Sequence, residues 1–197
     1  MLLLQAMCSL GPAPDLITYN AAISACEKGQ QWAWALHLLA EMFRDGPEPD
    51  LITWNAATSA CEKALQWEQA LELLQGLEAS GLLPDVVTCS AAVSACEKAG
   101  QWAAALFLLR GMRRRRLRPN LLTYTAAAAA CEKGLQWALA LALLGEMDEQ
   151  NLDPDMTAFN AALGACARGA RWRAALALEA RMRRRRVQPD VVSYKDA

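Results

Sequence analysis

A single period constrains everything this chain can fold into. The pentapeptide SACEK stands at Ser24–Lys28, Ser59–Lys63 and Ser94–Lys98. It returns as AACEK at Ala129–Lys133 and as GACAR at Gly164–Arg168, each copy 35 residues after the one before. Trp32, Trp67, Trp102, Trp137 and Trp172 keep that step, as do Pro14, Pro49, Pro84, Pro119, Pro154 and Pro189. Self-similarity at such a length marks an array whose units bury their apolar faces only against their neighbours. With the start set just after each Pro-Asp or Pro-Asn pair, the full repeats are 16–50, 51–85, 86–120, 121–155 and 156–190. Partial repeats occupy 1–15 and 191–197.

Each repeat reads as two helices. In the first, an Ala-rich segment begins around Ile17 and runs to about Lys28. The Thr18 hydroxyl is expected to cap it, and Gly29 to end it in the left-handed region. Trp32–Phe43 is the second helix, with Ala35, Leu36, Leu38, Leu39 and Met42 at helical spacing. Pro49 prevents its continuation. Small residues such as Ala21, Ala22 and Ala25 allow close helix packing. One hairpin leaves its apolar face open, and stacking closes it. The expected fold is therefore all-α, a right-handed α-solenoid of tandem helix-turn-helix repeats (an α-α superhelix), forming one domain over 1–197.

Composition removes several function classes. Apolar residues make up 54% of the 197, which argues against disorder. No uncharged apolar run approaches the roughly 18 residues of a membrane-spanning helix. MLLLQAMCSL lacks the basic flank of a signal peptide, and no Arg- and Ser-rich transit segment stands out. Lys and Arg total 20 against 21 Asp and Glu, so the mean charge does not advertise a polyanion partner. Eight arginines, however, fall in the runs Arg113–Arg116 and Arg183–Arg186. These suit solvated helix ends that complement the helix dipole; a supplementary phosphate patch and a targeting signal are the alternatives.

No phosphate-cradling glycine loop, HExxH, nucleophile elbow or zinc-deaminase signature occurs, so no enzyme, cofactor or small-molecule substrate is expected. Cys26, Cys61, Cys96, Cys131 and Cys166 recur too far apart for metal ligation and suit a tight helix seam. Cys8 and Cys89 do not alter that reading. The five periodic tryptophans are assigned to packing, as is Trp54, and His37 to the surface. Glu179 replaces the leucine of Leu39, Leu74, Leu109 and Leu144, either opening a solvent-facing cap or marking decay.

The residues TYN at Thr18–Asn20, the A–L–LL–M pattern of the second helix and the closing Pro-Asp recur through all five repeats. This pattern resembles the pentatricopeptide repeat family, of the pure 35-residue type. The tetratricopeptide repeat differs in period and in the closing pair. The resemblance implies RNA recognition at one base per repeat, with the first helices lining the groove. It places the second residue of each repeat against a base face: Ile17, Ile52, Val87, Leu122 and Thr157, then Val192. Thr157 departs from the apolar pattern and should stack less well. Aromatic platforms contribute roughly 1–3 kcal/mol per base, and aliphatic ones less.

The resemblance further assigns base reading to the fifth and last residues. The pairs are Asn20 with Asp50, Asn55 with Asp85, Ser90 with Asn120, Thr125 with Asp155, and Asn160 with Asp190. By the family's code these imply single-stranded RNA of sequence 5′-UUAGU-3′. Lys195, at the sixth reader position, matches no known specificity. The cations Lys28, Lys63, Lys98, Lys133 and Arg168 are placed near phosphates, which would set a log–log salt slope of about −3.5. A structural alternative is that Asp caps the next helix and Asn satisfies a turn. The resemblance points to mitochondria or chloroplasts and to RNA processing, stability or translation. The competing expectations are a protein-interaction scaffold and a fragment of a longer repeat protein, since the ends carry no polar capping repeat.

Overall fold

The computed structural model describes residues 14–185, which hold ten α-helices and no strand. They pair as α1 (Leu16–Lys28) with α2 (Trp32–Asp45), α3 (Leu51–Lys63) with α4 (Trp67–Ala79), α5 (Val86–Lys98) with α6 (Trp102–Arg114), α7 (Leu121–Lys133) with α8 (Trp137–Glu149), and α9 (Met156–Arg168) with α10 (Trp172–Arg184). Every pair coincides with one repeat. The chain forms two compact units, Met1–Ala95 and Cys96–Ala197, divided within α5.

In the first unit α1 packs on both α2 and α3, and α3 on α2 and α4. The second unit repeats the scheme: α7 packs on α6, α8 and α9, while α9 packs on α8 and α10. Within each unit, then, a first helix lies against the first helix of the next repeat, with a second helix set against both. The sequence explains why. Ala35, Leu38, Leu39 and Met42 on α2, and Ala70, Leu73, Leu74 and Leu77 on α4, recur at i, i+3, i+4 and i+7 and are buried. Ala140, Leu143, Leu144 and Met147 on α8 do the same, and on α6 Ala105, Leu109 and Met112 are buried at i, i+4 and i+7. The seam between first helices is made of small side chains: Ala57, Ala60 and Cys61 on α3, Ala127, Ala130 and Cys131 on α7, Ala162, Ala165 and Cys166 on α9. Burial pushes the Cys61, Cys96 and Cys131 thiols up to about 11, so these cysteines are inert packing groups.

Three local expectations are corrected. Asp15, not Thr18, caps α1: the Thr18 backbone N–H donates to Asp15 Oδ1 at 2.9 Å and its hydroxyl donates to the same oxygen at 2.6 Å. A carboxylate one position before the helix reaches the third amide, which the Thr18 side chain in the first turn does not. Gly29 has φ −81° and the left-handed residue is its successor, Gln30, at 55°. Leu65, Gly100, Leu135 and Ala170 occupy the same place in later repeats at 61°, 72°, 57° and 52°. The Gln31 amide donates to the Cys26 carbonyl at 2.8 Å, closing a Schellman-type end. The second helix also runs to Asp45, past Phe43.

The spaced tryptophans are half-buried, apart from the exposed Trp172, and Trp102 and Trp137 act as wedges. A Cβ at Gly134 would lie 2.2 Å from Trp102 Cδ1, and one at Gly169 would lie 2.9 Å from Trp137 Cδ1. Each of these rings thus fills space at the turn between the two helices of the following repeat. Glu179 is half-buried and its carboxylate pairs with Arg183 at 2.5 Å. His37 is exposed, with its ring edge-on to Trp34 at 5.7 Å. Of the arginine runs, Arg113 pairs with Glu146 at 2.7 Å and Arg185 with Asp148 at 2.8 Å.

Candidate nucleic-acid interface

The first turn of each first helix displays the assigned base-stacking position. In the first unit Ile17, Ile52 and Val87 are 76%, 64% and 61% exposed; in the second, Leu122 is 61% exposed and Thr157 is also exposed. Branched aliphatic side chains left open at one register position, turn after turn, contribute little to the core. One turn later stand Asn20 and Asn55, then Thr125 and Asn160, all half-buried, whereas Ser90 is buried at 4% exposure. Val192 and Asp190 lie outside the described residues, as does Lys195.

At the first two repeat junctions the assigned readers form one network. Asn20 Nδ2 donates to Asp50 Oδ1 at 3.2 Å, and Asn55 Nδ2 donates to Asp85 Oδ2 at 3.3 Å. The same aspartates cap the next helix: Asp50 Oδ1 accepts from the Thr53 backbone N–H at 2.9 Å, and Asp85 Oδ1 from that of Thr88 at 2.8 Å. Capping and pairing therefore coexist on one carboxylate. The Thr53 hydroxyl lies 2.5 Å from Asn20 Oδ1 and the Thr88 hydroxyl 2.5 Å from Asn55 Oδ1. Burial raises the Asp50 and Asp85 carboxyls, but the bonds from the threonine amide, the threonine hydroxyl and the asparagine amide outweigh it, and both sit below the ordinary aspartate value.

In the second unit Asn120 caps α7 through the Thr123 amide at 3.0 Å and the Thr123 hydroxyl at 2.8 Å. Asp155 caps α9 through the Ala158 amide at 2.9 Å, and the Thr125 hydroxyl approaches it at 3.5 Å. Here alanine occupies the place that Thr53, Thr88 and Thr123 hold elsewhere.

The assigned phosphate cations close the first helices and are exposed. Lys63, Lys133 and Arg168 are engaged by carboxylates. Lys63 Nζ is 2.8 Å from Glu27 Oε1, Lys133 Nζ 2.8 Å from Glu97 Oε1, and Arg168 Nη2 3.0 Å from Glu132 Oε1. The Ser59 hydroxyl also donates to Glu27 at 2.8 Å. Burial raises the Glu27 carboxyl, yet the bonds from Lys63 and Ser59 bring it below its usual value. Each pair ties the glutamate of one repeat to the cation of the next. Sequence motifs alone do not single out these glutamates, or Thr53 and Thr88. The signal was present in both cases: a Glu directly before the periodic cation, and a Thr at the third position of four repeats.

The family model described as Pentatricopeptide repeat domain matches residues 2–63, 72–133 and 142–195, and that described as PPR repeat matches 52–82. The chain belongs to the pentatricopeptide repeat family. Among solved structures, this pentatricopeptide repeat chain is similar to the pentatricopeptide repeat protein PPR10 from maize, with 27% identity and a TM-score of 0.73. That match covers 98% of the chain and 28% of the maize protein, so the chain spans about a quarter of its length. PPR10 in complex with an 18-nt psaJ RNA element matches at 24% identity, over 98% of the chain and 32% of that protein, with a TM-score of 0.68. The PPR domain of Arabidopsis thaliana protein-only RNase P 1, in complex with tRNA, matches at 15% identity with a TM-score of 0.77, over 88% of the chain and 92% of that domain. These likenesses place the all-α hairpin array in the α-solenoid fold class. No curated protein sequence matches.

Proposed function

We propose that this pentatricopeptide repeat chain binds single-stranded RNA, one base per repeat, without catalysing a reaction. The observation that carries the proposal is the recurrence, at one register, of an exposed aliphatic side chain with a polar reader one turn on. In two repeats that reader is an asparagine already oriented by the aspartate that closes the repeat. The open side chain supplies a surface for a base face. The amide and carboxylate, short and restrained, supply donors and acceptors for a base edge. Structures of family relatives holding RNA support the same partner. In the proposed reading the five pairs select 5′-UUAGU-3′, and the role lies in organellar RNA processing, stability or translation.

The test is binding of the whole chain to 5′-UUAGU-3′ and to a scrambled RNA of equal composition, together with selection from a random pool. Preference for the first sequence supports the assignment. Equal affinity for both refutes base reading, and retention of a protein partner with no RNA at physiological salt would favour the scaffold instead.

A further inference from the structure

The threonine hydroxyls at the first two repeat junctions belong to the next repeat, yet they touch the reader of the one before. Thr53 and Thr88 are both 0% exposed. Each hydroxyl has one proton and lies near two oxygens: Asn20 Oδ1 at 2.5 Å and Asp50 Oδ1 at 2.8 Å for Thr53, and Asn55 Oδ1 at 2.5 Å and Asp85 Oδ1 at 2.8 Å for Thr88. The amide nitrogen of each asparagine is turned toward the aspartate, so its oxygen faces the threonine. Two oxygens at that separation are tolerated only with a proton between them. Flipping the amide would set Oδ1 against the carboxylate and take away the hydroxyl's acceptor at 2.5 Å, leaving it only the aspartate oxygen that the helix-capping amide already shares, at a cost comparable to a lost hydrogen bond.

Resting on the base-reading role set out above, we propose that Thr53 and Thr88 are specificity-determining positioning residues: their hydroxyls lock the reader amides Asn20 and Asn55 in one orientation. A locked amide offers the groove a fixed N–H and a fixed oxygen lone pair. Uracil and cytosine carry opposite donor and acceptor patterns on their pairing edges, so only a locked amide tells them apart well. The chain holds its own contrast. Ala158 takes this position at the fourth junction, where the reader is Thr125, a hydroxyl rotor with no amide to flip.

The experiment measures Kd for 5′-UUAGU-3′ and 5′-CUAGU-3′ with the whole chain and its T53V and T53S variants, with thermal unfolding alongside. T53V should shrink the U-over-C preference at the first base by about two- to ten-fold, the range one net hydrogen bond spans. T53S, which keeps the hydroxyl, should restore it. A second arm places the lock where it is missing. T125N should prefer U weakly over C at the fourth base, and T125N/A158T should prefer it more. The added hydroxyl fits, because Thr53, Thr88 and Thr123 are as fully buried as Ala158. If T53V weakens both RNAs equally while the ratio stands, the hydroxyl is only a helix cap and the proposal is overturned. If the unmodified chain does not distinguish the two RNAs, base reading fails and the lock falls with it.

Discussion

Replacing Glu27 with glutamine should loosen the fold slightly and strengthen RNA binding, two effects of opposite sign from one charge. In the free protein Lys63 sits 2.8 Å from Glu27 Oε1, with side chains 38% and 20% exposed. At that distance Coulomb's law in water gives ~1.5 kcal/mol. Side-chain ordering and screening reduce it, and exposed pairs contribute about 0.2–1 kcal/mol. The Ser59 hydroxyl can still donate to a glutamine oxygen. The expected loss of stability is therefore below ~1 kcal/mol, read as a shift of a few degrees in Tm.

RNA binding responds differently, because Glu27 offsets the cation assigned to a phosphate. Freed of it, Lys63 neutralises that phosphate more fully, and each neutralised phosphate adds about −0.7 to the slope of log K against log salt. In E27Q/E97Q/E132Q the slope should steepen by up to ~2, with tighter binding below 0.1 M salt. Fluorescence anisotropy across a salt series measures both. An unchanged slope with weaker binding would refute the reasoning, and would mean that Lys63, Lys133 and Arg168 are inter-repeat ties with no phosphate role.

Three further outcomes follow from particular contacts. T125N should move the fourth selected base from G toward U in a random-pool selection, leaving the other positions unchanged. G134A should lower stability by roughly 1–3 kcal/mol by chemical denaturation: its backbone, at φ −84°, accepts alanine, but the new Cβ would lie 2.2 Å from the Trp102 ring. Because the folded-state carboxyls of Asp50 and Asp85 lie below the ordinary aspartate value near 3.9, their stabilisation is complete above that value and disappears as pH falls through the folded one. Thermal unfolding should thus be flat from pH 7 to about 5 and decline below about 4, and D50N/D85N should lower Tm near neutral pH and flatten that decline.

Periodicity carried the fold. Repeat length, the two helices, the small-residue seam and the packing of most of the spaced tryptophans follow from residues recurring on one step, because a face that must be buried against an identical neighbour repeats its chemistry. Ile17, Ile52 and Val87 in the first unit and Leu122 in the second are exposed at the register that the family resemblance singled out. What escaped were contacts that cross a junction at a shifted register. Glu27 meets Lys63, one residue beyond a repeat length, so reading each CEK unit by itself hides its partner. Thr53 was visible within TWN, yet its bond to Asn20 exists only once two hairpins pack. The left-handed Gln30, Leu65, Leu135 and Ala170 went unanticipated because helix-end geometry outranks residue preference there. Leaving only Gly100 as the expected residue type, the tight join between paired helices imposes the conformation.

The residue that closes a repeat also caps the next helix, which under the proposed reading has a consequence for how this array could change its target. Editing the fifth residue alters one half-open side chain. Editing the last residue also rewrites the start of the following helix, because Asp50, Asp85, Asn120 and Asp155 each hold that helix's third amide. Only side chains that cap well are free to serve there, so the vocabulary at that site is confined to Asp, Asn, Ser and Thr. New specificities should accordingly arise at the fifth residue first, with the closing residue varying inside that short alphabet.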